Sequence, residues 1–155
     1  MNENELLAKY ASLQPGKDRT GFGALDLIHA EGSGLDALLY SYLLWPAFIE
    51  YKGMVFLRNS LDDEHDRNRV DEALSGYDGD QLKTQKSFNT VEVGSLFGAR
   101  AGETDDTQDR DLAELLREMW SARLALVFGD YVFRIELVAP QSTGGTVGLV
   151  FWRER

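Results

Sequence analysis

Leu6, Leu7, Tyr10 and Leu13 recur at helical spacing near the start of the chain, and Pro15, Gly16, Gly21 and Gly23 then break the pattern. This predicts a short helix followed by a loop. The stretch GALDLIHAEGSG can continue as a brief helix ended by Gly32. Ser33 and Asp36 stand three apart, close to a capping box, ahead of Leu35, Leu38, Leu39, Tyr42 and Leu43. That spacing predicts a second, well-buried helix, stopped by Pro46.

AFIEYKGMVFLRN is rich in aromatic and β-branched residues, with Lys52-Gly53 in its middle, as expected of one broken strand or a very short hairpin. The run Met54 to Leu57 is apolar at every position, which places it centrally in a sheet. Ser60 is expected to open a third helix through about Leu74, closed by SGYDGD. Its apolar positions are sparse, so it should lie on the outside. Residues 81–104 mix short apolar alternation with glycines and read as a loop with a short element of undetermined type.

The clearest pattern follows, where Leu112, Leu115, Leu116, Met119, Trp120, Arg123, Val127 and Phe128 trace one face of a long helix. YVFRIELV and TVGLVFWRER then alternate around the turn material APQSTGG, predicting an antiparallel hairpin that ends the chain. Together these elements predict an α+β fold. Two or three helices are expected to pack on one face of a three- or four-stranded, mainly antiparallel sheet, in a single domain over residues 1–155.

Composition narrows the function classes. The chain has 155 residues, enough to bury a sizeable core without staples, and its 43% hydrophobic and 27% charged residues are ordinary for a globular protein. No apolar run approaches a membrane span of about 20 residues. The opening MNENELLAKY is acidic where a signal peptide is basic, so a cytoplasmic location is expected. The absence of cysteine removes disulfides, thiolate nucleophiles and cysteine-bound zinc. A net charge of −10 with no Lys/Arg cluster argues against direct nucleic-acid binding. Residues 60–80 contribute −6 and residues 103–118 contribute −5, which leaves +1 for everything else. The acidity therefore belongs to two segments, readable either as solvated helix faces or as a surface for a basic partner.

The stretch SLDDEHDR, residues 60–67, is the densest candidate for chemistry. In a helix beginning near Leu61, His65 falls near the core-facing stripe while Asp62 and Asp66 lie one turn apart. A metal-assisted or general acid–base enzyme would use His65 with Asp62 or Asp66. A hard-metal site needs carboxylates converging from more than one element, which this spacing alone does not supply. First-turn acids are also expected from the helix dipole, with Ser60 as cap and Asp62, Asp63 and Glu64 following it. His29 begins HAE, but the zinc-deaminase pattern also needs cysteines that the chain lacks. GFGALD and STGGTVG complete neither a dinucleotide fingerprint nor a phosphate loop. No Gly-x-Ser-x-Gly elbow occurs. These patterns imply no catalytic set, no cofactor and no metal. Trp152 sits on the less regular face of the last strand, where an exposed tryptophan would favour contact with a partner.

LLWPAFIEYKGMVFLR, the later EMWSARLALVF and the closing VFWRER resemble a loose group of small bacterial cytosolic proteins, some of them similar to immunity proteins against polymorphic toxins. These features span about half of the chain and carry no catalytic residue across. The resemblance implies a protein-binding role. The leading expectation is therefore a non-enzymatic, immunity-type domain that covers a basic protein surface, such as that of a nuclease toxin, through Asp62, Asp63, Glu64, Asp66, Asp105, Asp106, Asp109 and Trp152. Besides the His65 enzyme, the alternative is a small-ligand or oligomerisation module. The oligomeric state is left open.

Overall fold

The computed structural model describes residues 2–98, 104–139 and 146–154. Three helices come first: α1 (Glu3–Leu13), α2 (Ala24–Glu31) and α3 (Gly34–Leu44). The strands β1 (Phe48–Tyr51) and β2 (Met54–Leu57) follow, then α4 (Glu64–Gly76), α5 (Gln81–Phe88) and β3 (Thr90–Glu92). The chain closes with the long α6 (Asp106–Val127), β4 (Phe133–Val138) and β5 (Gly148–Arg153).

The fold is α+β, but the expected two or three helices on one sheet are corrected to six helices and two small antiparallel sheets among the described residues. One sheet is the β1–β2 hairpin; the other has the order β3-β5-β4. The count was underestimated partly because α5 is polar. Its buried positions are Thr84 and Gln85, with Asn89 just beyond its end, so no apolar stripe marks it in the sequence.

β1 and β2 pair with Tyr51 opposite Met54. Lys52 and Gly53 form the two-residue connection, and both have positive φ (52° and 76°), as a hairpin turn with the handedness of the strand twist requires. All four residues of β2 are buried, yet the strand is not central in a larger sheet. Its faces are covered separately. Val55 and Leu57 join Phe48, Leu116, Trp120, Leu124 and Phe151 in the main core, whereas Met54 and Phe56 join Leu61 and Val70 in a second one.

The edge of β2 is finished by side chains from α5 and its C-cap. Gln85 Oε1 accepts from Val55 N at 3.2 Å and Arg153 N at 3.0 Å. Asn89 Nδ2 donates to Val55 O at 2.8 Å and Phe151 O at 3.2 Å. β3 pairs with β5 only at residues 148–150, so these two amides serve the remaining β5 edge and join the two sheets without a backbone ladder. Buried backbone groups need such partners, because leaving one unpaired costs about 1–3 kcal/mol.

The C-terminal hairpin pairs Phe133 with Arg153 through to Val138 with Gly148. Across it lies α6, which buries Asp109, Ala113, Leu116, Trp120 and Leu124 along one stripe. Trp120 meets Phe48 and Phe151 edge to face at centroid separations of 6.2 and 5.9 Å, and its indole N–H donates to Leu43 O at 2.8 Å.

The N-terminal helices are unlike the rest, since none of α1, α2 or α3 contains a buried residue. The expectation of a well-buried helix at 34–44 is therefore corrected. Ser33 does cap α3, accepting from Asp36 N at 3.3 Å, but Leu35, Leu38, Leu39 and Tyr42 remain 74%, 64%, 66% and 79% exposed. Only the last turn, at Leu43 and Leu44, packs against the core.

Candidate functional site

The two acidic segments are set apart by β2. Side chains alternate between faces along a strand, and α4 is seated on the Met54/Phe56 face through Val70. α6 occupies the Val55/Leu57 face through Leu116, Trp120 and Leu124. α4 and α6 thus pack on opposite faces of β2, which carries the described parts of the two acidic segments, 60–80 and 104–118, to different sides of the first hairpin.

Along the first segment, the helix begins three residues later than expected. Ser60 ends a short 3-10 turn, Arg58–Ser60, and Asp63 is the cap, accepting from Asp66 N at 2.9 Å. An aspartate here satisfies an otherwise unpaired N–H and complements the positive helix end. Asp62, Asp63 and Glu64 are exposed, while the half-buried Asp66 lies 3.5 Å from Arg69. Asp71 is neutralised by Lys52 at 2.6 Å and receives a 3.2 Å hydrogen bond from the Tyr51 hydroxyl. The hydrogen bond from Lys52 holds the Asp71 carboxyl below its usual range, and the same contact raises Lys52. Asp62, Asp63, Glu64, Glu72 and Asp78 form no ion pair among the described residues.

The second segment is more heavily engaged. Asp105 caps α6, accepting from Thr107 N and Gln108 N at 3.0 and 3.2 Å, and lies 3.9 Å from Lys9 Nζ. Asp106 is exposed. Asp109, expected at a partner surface, is only 8% exposed. Its carboxylate sits so close to the Gly94 backbone that a Cβ at Gly94 would lie 2.6 Å from Oδ2.

His65 is exposed, not turned toward the core stripe as its spacing suggested, because the helix starts at Glu64 and Val70 sets the buried face. Among the described residues, no group of three or more His, Asp or Glu side chains is arranged to hold a metal ion. Asp62 and Asp66 are brought into the same helix end as His65, where Asp66 meets Asp63 and Arg69 instead.

Trp152 is corrected in the other direction. It is 8% exposed, and Lys86 Nζ covers its ring at 3.7 Å from the centroid. Its edge contributes to an open cleft of about 710 Å³ with Asp78, Asp80, Leu82, Arg153 and Glu154. Arg153 is itself committed to the fold: it stacks over Tyr131 at 3.4 Å, donates to Gly53 O at 3.1 Å and lies 3.6 Å from Glu50. A second hollow, about 390 Å³, separates α1 from α6 and is lined by Leu6, Tyr10, Leu13, Leu112 and Leu115. His65 lines neither.

Sequence reasoning missed the bridging of β2 and β5 by Gln85 and Asn89 and the exposed apolar face of α3. The amide pair has a weak signal, two amides four residues apart in a polar stretch. The exposed face has none, because the same stripe reads as core. No helix among the described residues is long and apolar enough to cross a membrane. No protein-family model matches the chain, and neither a curated protein nor a solved structure matches it.

Proposed function

We propose that the chain is a non-enzymatic, cytoplasmic protein-binding domain of the immunity type, presenting the acidic face of α4 to a basic surface on a protein partner. The observation that carries this reading is the exposed charge at Asp62, Asp63 and Glu64, which gathers at the N-terminal end of α4 and forms no ion pair among the described residues. Glu72 lies further along the helix and Asp78 beyond its other end, with the exposed cation Arg67 between them and the first three acids; the one buried residue of the helix is Val70. Concentrated negative charge steers a basic partner and raises the association rate, with an effect that salt screens. Asp66 borders this face. Asp105 and Asp106 belong to a separate surface, and Asp109 and Trp152, each 8% exposed, add little to the acidic face.

Affinity capture from the native host, eluted with a salt gradient, tests the reading. The wild-type chain should retain a basic protein that a D62N/D63N/E64Q variant releases at lower salt. Asparagine preserves the cap at position 63, so the variant keeps its helix. Equal retention by both chains, insensitive to salt, would overturn the proposal.

A further inference from the structure

We infer that α3 is the contact helix of a homodimer, packing antiparallel against α3 of a second copy of this chain. This surface is independent of the acidic face of α4. Leu35, Leu38, Leu39 and Tyr42 stand at i, i+3, i+4 and i+7, the stripe that one helix presents to another, and each is 64–79% exposed. Large apolar residues in such a contiguous, exposed stripe mark an interaction surface. The end of the helix is held in place, so the stripe is presented in a fixed direction. Trp120 donates to Leu43 O at 2.8 Å, and Tyr40 meets Phe97 edge to face at 6.0 Å.

Three features select a second copy as the occupant. The first is charge. The chain's −10 is concentrated in residues 60–80 and 103–118, so faces built from those segments repel a second copy, whereas residues 32–49 contain a single charged side chain, Asp36. A face almost free of charge is where two copies meet without bringing like charges together.

The second is symmetry. A two-fold contact places the same patch on both subunits. With the axis between residues 38 and 39, Leu38 meets Leu39 of the second copy and Leu35 meets its Tyr42, so the stripe complements itself. Each Asp36 then faces Ser41 of the other helix, and the two carboxylates are offset by about 7 Å along the axis.

The third is area. Taking roughly 200 Å², the mid-range for a large aromatic residue, as an upper value for each of the four, they offer at most about 570 Å² per chain. Fully covered, the pair would bury up to about 1,100 Å², at the ~1,000 Å² floor for a biological interface, so neighbouring side chains must add to the stripe.

Sedimentation velocity over a hundred-fold concentration range tests the inference. The wild-type chain should sediment at twice the chain mass, and an L38E/L39E variant as a monomer with unchanged circular dichroism, since both positions are exposed. L126E, on the exposed side of α6, should remain dimeric. A second measurement reads the register in this cysteine-free chain. Mixed L35C and Y42C chains should form a disulfide-linked heterodimer under mild oxidation, in preference to either homodimer. A wild-type chain that stays monomeric, or an L38E/L39E chain that stays dimeric, would overturn the inference. Preferential L35C homodimers would overturn the antiparallel register.

Discussion

Gln85 and Asn89 stand one helical turn apart, and their side chains together satisfy both backbone groups of Val55 and one each of Phe151 and Arg153. They act as a substitute for a β-ladder between the two sheets. Asn89→Ala would leave two buried carbonyls without their donor, and Gln85→Ala two N–H groups without their acceptor. Each is expected to cost about 3 kcal/mol, readable as a lower urea midpoint at unchanged slope. Losses under about 0.5 kcal/mol, typical of surface changes, would show that water replaces the amides freely.

Gly94 and Asp109 occupy space that admits no extra methyl. Gly94→Ala is expected to destabilise by about 2 kcal/mol, as overpacking does. In an Asp109→Ala background the same change should cost clearly less, because the carboxylate 2.6 Å from the new Cβ is gone. A double-mutant cycle measures the difference. Additive losses would place the strain elsewhere, for instance against Thr146.

The cap of α4 gives a paired prediction. Asp63→Ala should cost about 1 kcal/mol through loss of the bond from Asp66 N. Ser60→Ala should be nearly neutral, since Ser60 precedes the helix. Chemical denaturation of the two variants separates the roles, and the reverse order would put the cap at Ser60.

The Lys52–Asp71 pair predicts a pH dependence. The hydrogen bond from Lys52 depresses the folded-state value of Asp71, so the pair's contribution is present above the usual aspartate range and is lost as pH falls through the folded value. Lys52 is raised by the same bond, so its contribution is present below the ordinary lysine value and is lost as pH rises through the folded one. The stability difference between wild type and Asp71→Asn should be flat around neutrality and should shrink in acid below about pH 4. Lys52 is exposed and Asp71 half-buried, so the difference is small and should fall with added salt. A difference that persists unchanged at pH 2 would assign it to packing.

What was legible in the sequence followed from periodicity. The 3.6-residue stripe through Leu116 and Trp120 marks α6, and the alternation from Phe133 to Leu137 marks a strand of the closing hairpin. Lys52-Gly53 marks a break that the sequence leaves open between one interrupted strand and a short hairpin, and the two successive positive φ angles decide for the hairpin. α5 escaped notice because its inward side is made of Thr84 and Gln85, residue types that periodicity counts as surface. The stripe on α3 misled for the opposite reason: pattern registers that a face is apolar, not whether its own chain covers it. The acids of the candidate site were visible, but their grouping was not. Two runs of like charge say nothing about which face of β2 each helix takes, and Asp109 looked exposed until α6 turned it toward Gly94. Trp152 looked available until the Lys86 side chain lay across it.

The most direct test of a protein-binding role for α4 is the association rate constant with the captured partner, measured against ionic strength for the wild-type chain and the D62N/D63N/E64Q variant. The account predicts a rate that falls steeply with salt for the wild type, and a slower, flatter dependence for the variant, with both converging at high salt. Superimposable curves for the two chains would contradict it.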